Sequence, residues 1–211
     1  MQSRIAWAYS PDRFRFPDEL QHRRTSRDIL ATGHLFTSNP SLPVSPGFPS
    51  LEIVTTAVSR LAGVSVFTAG VITVSLAHVL LVTAVITWAY ALGVGPRRAA
   101  VCALVYGFAP DFSYFDTLFT YTAIALPFLI LAARAAARSV TRRDSALLVL
   151  PPLLVAVVSH RLTGYLACGL VAAFAVVVAV WAWDGVGARR TATSLRLAAV
   201  AVVGLASAVG W

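Results

Sequence analysis

Phe16–His22 reads Phe-Pro-Asp-Glu-Leu-Gln-His and sets Asp18 beside Glu19, with His22 three residues on, in a chain that is otherwise mostly apolar. Asp111, Asp116, His160 and Arg161 fall at two later breaks between apolar runs. A carboxylate in such company has two roles open to it: general base toward an acceptor hydroxyl, or ligand of a divalent cation. An arginine can hold a phosphate through paired hydrogen bonds. Together these roles suit transfer from a lipid-phosphate donor. Each residue also has a plainer reading. Asp18 and Glu19 suit the first turn of a helix, where the dipole favours acids. Asp111 after Pro110 suits a turn, and Asp116 suits an N-cap. His160 and Arg161 suit a solvated loop, and His22 and His34 a surface. His78, inside an apolar run, suits polar packing between helices.

The elements that position these residues must be membrane helices. The 211 residues are 58% hydrophobic and 12% charged, and the charged share is about half of the roughly 25% usual in soluble domains. Mean hydropathy is +0.76. The net charge is +8 and every basic residue is arginine. Basic loops of a membrane protein explain that charge better than nucleic-acid binding does, so membrane lipid is the expected partner and nucleic acid is not. Cys102 and Cys168 sit in apolar runs without metal-ligand spacing, as small buried residues do. Residues 1–50 hold no apolar run long enough for a signal-peptide core.

Two regions follow, 1–64 and 65–211. In the first, a helix begins at Pro17 and stops near Gly33, and a loop punctuated by Pro40, Pro43, Pro46 and Pro49 follows. Residues 51–62 are amphipathic, and Glu52 and Arg60 predict a helix lying at the interface. In the second region, spans are predicted near 66–92, 99–115, 117–137, 145–159, 163–183 and 195–211. The second and fourth are short and proline-broken, so they need shielding by neighbours or a cavity to line. The fold class expected is all-α: a polytopic transmembrane bundle of about six spans with an extracytoplasmic N-terminal loop module. Arginines mark every second connection: Arg97–Arg98, then Arg134, Arg138, Arg142 and Arg143, then Arg189, Arg190 and Arg196. The positive-inside rule puts these in the cytoplasm and leaves the N-terminal module, 110–116 and 159–163 outside. The six arginines of residues 1–50 run against that orientation, and the three later loops outweigh them. The last apolar run reaches Trp211 without a polar tail, so a fragment truncated at both ends is expected.

The segment "PDELQHRRTSRDILATGHLF" resembles the first extracytoplasmic loop of the C-type superfamily of polytopic glycosyltransferases, which includes protein O-mannosyltransferases and the bacterial aminoarabinose and mannosyl transferases. In that family an acidic pair is followed by a helix, a Thr-Gly turn like Thr32–Gly33, and a proline-rich stretch. An amphipathic helix ending in Leu-x-Gly comes next, as in "PGFPSLEIVTTAVSRLAG". "GVGPRRAA", "FAP", "YTAIALPFLILAARAA" and "SHRLTGY" extend the likeness over nearly the whole chain. Each motif is degenerate, and the family's first span and C-terminal portion have no counterpart here. The resemblance implies inverting transfer of a sugar from a polyprenyl-phosphate-linked donor in a bacterial plasma membrane. It also implies Asp18 as the catalytic carboxylate, with Glu19 beside it. His22, Asp111, Asp116, His160 and Arg161 are then the substrate-binding candidates. It fixes neither a metal nor the identity of sugar and acceptor.

The rival readings are a transporter or lipid-handling subunit without catalysis, and an inactive gene fragment. A transporter should carry internal repeats with paired broken helices, and no convincing repeat stands out. The orientation is open to direct test. A cysteine at Ser38 should react with an impermeant reagent added outside, and one at Ser139 should not; the reverse pattern inverts the orientation.

Overall fold

The computed structural model describes residues 13–109, 118–142, 144–183 and 188–210, with side chains 182–190 left out. Asp111, Asp116 and Arg143 lie outside the described residues. The fold is all-α. In chain order the helices are α1 Pro17–Thr32, α2 Ser50–Ala62, α3 Val66–Ala91, α4 Pro96–Phe108, α5 Tyr121–Thr141, α6 Leu150–Ser159, α7 Arg161–Trp183 and α8 Ala188–Gly210.

The local signals place most boundaries. Pro17 opens α1 at a position where its missing N–H costs nothing. Gly33 closes the helix in the left-handed region (φ 72°), its N–H donating to the Ile29 carbonyl at 2.8 Å. Gly63 ends α2 in the same way, and the Ser65 hydroxyl caps α3 by accepting from the Thr68 N–H.

Among the described residues, four helices are long and apolar enough to cross a membrane: Val66–Ala91, Tyr121–Thr141, Arg161–Trp181 and Thr191–Val209. Two of the six predicted spans are shorter than this. The second predicted span is α4, which has 13 residues and stops before Pro110. The fourth is a 3-10 turn, Ala146–Val149, leading into the 10-residue α6, which starts where Pro151 and Pro152 allow. At 1.5 Å per residue such helices cover about 15–20 Å, against the ~30 Å of a hydrocarbon core. Leu153, Ala156 and Val157 bury α6 against α5, α7 and α8, which shields it from lipid.

α2 also differs from the sequence reading. Its buried face is polar: Glu52, Thr55, Thr56 and Ser59 join Leu51 inside, while Ile53, Val54 and Leu61 face outward. The helix packs against α1, α3, α5 and α6. The alternation of polar and apolar residues was legible, and its direction was not.

The long helices give the bundle two distinct ends. The Thr141 hydroxyl, ending α5, donates to the Ala91 carbonyl, ending α3, at 3.1 Å, so these helices run parallel. At their other ends Phe14 and Phe119 stack (4.4 Å between centroids) over Gly70 of α3. A Cβ on Gly70 would stand 2.8 Å from both rings, which is why this position takes glycine. Arg134, Arg138 and Arg142 gather with Tyr90 at the first end; α1, α2 and His160 gather at the second. Of the alternating arginines, Arg134, Arg138 and Arg142 thus share one end of the bundle. Arg13, Arg15, Arg23, Arg24, Arg27, Arg60 and Arg161 remain at the other. Ser139 is buried, its hydroxyl bonded to the Ala136 carbonyl, so exposed Arg142 is the better labelling partner for Ser38.

α6 and α7 cross closely at Gly164, where an added Cβ would lie 2.8 Å from the Val157 Cα, a backbone atom that cannot rotate away. Gly164→Ala should therefore cost about 1–3 kcal/mol by overpacking, read as a lower unfolding midpoint in detergent. Gly169→Ala, with open space around it, should leave the midpoint unchanged.

Candidate functional site

The acidic pair divides its labour. Glu19 is buried, and its carboxylate is engaged on both oxygens. One accepts the Phe119 N–H at 2.9 Å; the other accepts the N–H groups of Arg15 and Phe16, each at 3.2 Å. The Phe16 contact is the reach-back half of a capping box. The Phe119 contact spans a hundred residues of chain and pins α1 to the start of α5. Asp18 is exposed and makes no hydrogen bond or ion pair among the described residues. Its carboxylate is close enough to act electrostatically on Tyr121, the first residue of α5. Asp18 is thus open to solvent, and Glu19 is the one that points inward.

His22 lies one turn deeper in α1. Its ring is 1% exposed and its Nδ1 sits 2.6 Å from Oε1 of Glu52, which is fully buried. The Ser45 hydroxyl donates to the same oxygen at 3.3 Å. Oε2 of Glu52 has no partner. Burial sets His22 behind the site wall, as a residue that positions others rather than one that meets a substrate. The wall is aromatic. The Tyr121 ring meets His22 edge-on at 4.7 Å and stacks on His160 at 4.5 Å. His160 is held at the α6–α7 junction by Thr163, whose hydroxyl lies 2.7 Å from Nδ1. The Ser50 hydroxyl, bonded to the Val158 carbonyl at 3.3 Å, ties α2 to the same junction. Arg161 is exposed, with its Nε donating to the Tyr165 hydroxyl of its own helix at 3.2 Å.

α1, α2 and the start of α3 also form an open cleft of about 650 Å³, lined in part by Arg23, Arg27, Ser59, Ser65 and Phe67 and by none of Asp18, His22, Tyr121 and His160. The Arg23 Nε is buried there without a partner. An anion, a phosphate above all, is the complement of two guanidiniums in such a cleft. Among the described residues no group of three His, Cys, Asp or Glu is arranged to hold a metal ion.

Asp18, Glu19, His22 and His160 therefore converge, and Arg161 turns aside. Sequence reasoning missed Glu52 and Tyr121 as members of the site, and Arg23 and Arg27 as a basic pair lining a separate cleft. Arg23 and Arg27 had a usable signal, being four residues apart and so on one face of α1. Glu52 and Tyr121 carried none that spacing could show.

Burial, and after it the neighbouring His22, lower the His160 pKa from 6.5 to about 4. The folded protein thus keeps His160 neutral where an unfolded chain takes up a proton. That contribution to stability is fully present above pH 6.5 and is lost as pH falls toward about 4. His160→Gln should flatten the fall in unfolding midpoint between these pH values. An unchanged slope would mean that other groups set the acid sensitivity.

Compared with protein-family models, curated proteins and solved structures, the chain matches none, so its reading rests on its own residues.

Proposed function

We propose that this chain carries the acceptor-activating and phosphate-binding part of a membrane glycosyltransferase, acting on the outer face of a bacterial plasma membrane. The observation that carries the reading is the division within the acidic pair. Glu19 is consumed by three backbone donors, and Asp18 stands free beside Tyr121 in the first turn of an anchored helix. The positive end of α1 favours an ionised carboxylate there. A free, ionised and positioned carboxylate is what a general base requires.

In this reading Asp18 takes the proton of an acceptor hydroxyl as its oxygen bonds to C1 of the donor sugar. The bond from C1 to the phosphate oxygen breaks, and polyprenyl phosphate departs. Attack opposite the leaving group inverts C1. Arg23 and Arg27 line a cleft on another face of α1, where a lipid phosphate can be held before or after the transfer. His22, Glu52 and Glu19 hold α1 in register, and Tyr121 and His160 wall the acceptor side.

The test is turnover of a polyprenyl-phosphate-linked sugar by the full-length protein in membranes. Asp18→Asn should lower the rate by about 10²–10⁴-fold with expression and membrane insertion unchanged. Arg27→Gln should weaken donor binding, seen as a higher KM. Glu19→Gln should lower thermal stability more than it lowers the rate of the folded fraction. Wild-type turnover by Asp18→Asn would remove Asp18 from the chemistry.

A further inference from the structure

The end of the bundle opposite Asp18 carries a second arrangement with a binding character of its own. Arg134 lies in α5, within the apolar span Tyr121–Thr141. It is half-buried and has no hydrogen bond or ion pair among the described residues. Seven residues separate it from Thr141, about 10 Å of helical rise, so its guanidinium is not simply at the helix end.

Arg134 lines two adjoining spaces. One, of about 170 Å³, is also lined by Arg138, Arg142 and Tyr90. The other is a groove of about 500 Å³ between α5 and α6, whose walls include Phe128, Leu131, Pro151, Pro152 and Val155. Asp144 offsets Arg138, pairing with its Nε at 2.5 Å. Arg134 and Arg142 have no acidic partner among the described residues; both line the small basic space, and Arg134 also reaches the groove.

We infer that this end of the bundle binds an anionic phospholipid, its phosphate between Arg134 and Arg142 and an acyl chain in the α5–α6 groove. Charge complementarity selects the headgroup, because a guanidinium inside an apolar span favours an anionic partner. The groove selects the tail. A free anion would fill the small basic space and leave apolar walls uncovered, whereas an amphiphile matches both parts at once. Basic pockets between membrane helices hold anionic headgroups by this physics. The site is separate from the proposed sugar-transfer site and does not depend on it.

Native mass spectrometry of the full chain tests the inference, together with melting in nanodiscs of phosphatidylcholine alone or mixed with phosphatidylglycerol. Wild-type protein should retain phosphatidylglycerol and melt higher in the mixed discs. Arg134→Gln should reduce retention about tenfold, the scale of one lost charge-assisted contact. Val155→Trp, which fills the groove and leaves every charge in place, should reduce it too. Arg97→Gln should retain lipid as the wild type does. Wild-type retention by either Arg134→Gln or Val155→Trp would overturn the inference. So would inorganic phosphate reproducing the melting shift in phosphatidylcholine discs, since that would mark an anion site without a lipid.

Discussion

The contact between His22 and Glu52 is the constraint on which the rest of this end of the molecule depends. Both side chains are withdrawn from water, and they meet at 2.6 Å. Buried groups of this kind are costly apart, and removing one partner of a buried ionic pair typically loses about 3–5 kcal/mol. α1 therefore cannot slide or rotate on α2 without breaking the contact. Once that register is set, Glu19 faces the backbone of Phe119, and α1 is fastened to α5 as well. His160 reaches the same place through Tyr121. One hydrogen bond thus aligns four segments that are far apart in the chain.

The bundle below is built on small residues. Ala132, Ala133, Ala136 and Ala137 of α5 are at most 1% exposed, and Gly164 and Gly204 sit against neighbouring helices without room for a methyl group. In a membrane, water exclusion contributes little between helices, so close approach and dispersion carry the association. That close packing also accommodates α6. Ten residues cannot cross a bilayer, but they can rest against longer helices, which cover their apolar face.

The two ends of the bundle have different electrostatic character. The α1–α2 end mixes carboxylates, imidazoles and arginines: Glu19 accepts from backbone donors, Glu52 from side chains, and Asp18 has no partner among the described residues. The opposite end is arginine-rich, with Asp144 as its acid among the described side chains in contact with Arg138. A reaction that needs both a base and a phosphate acceptor fits the first end, and an anionic surface fits the second.

Helix punctuation is local chemistry, and it could be read directly. Pro17, Gly33, Gly63 and Ser65 act on their own turn through φ restriction, left-handed backbone or a cap, so the bounds of α1, α2 and the start of α3 follow from residue type. The apolar runs likewise committed the chain to an all-helical membrane fold, because only helices satisfy every backbone group in a single lipid-embedded segment. Which carboxylate of the pair stays free was beyond spacing. Asp18 and Glu19 are neighbours, and their fates differ because the Phe119 N–H, a hundred residues away, meets one of them. Glu52 read as a solvated interfacial acid because the sequence contains nothing to indicate that His22 would cover it. The surroundings of α6 were also beyond the sequence: an apolar run of ten or so residues suits lipid or protein equally, and the packing shows its protein-covered face. Residue type fixed what each segment could become; contacts between distant segments, which alone can bury a polar group with its partner, decided which residues form the site.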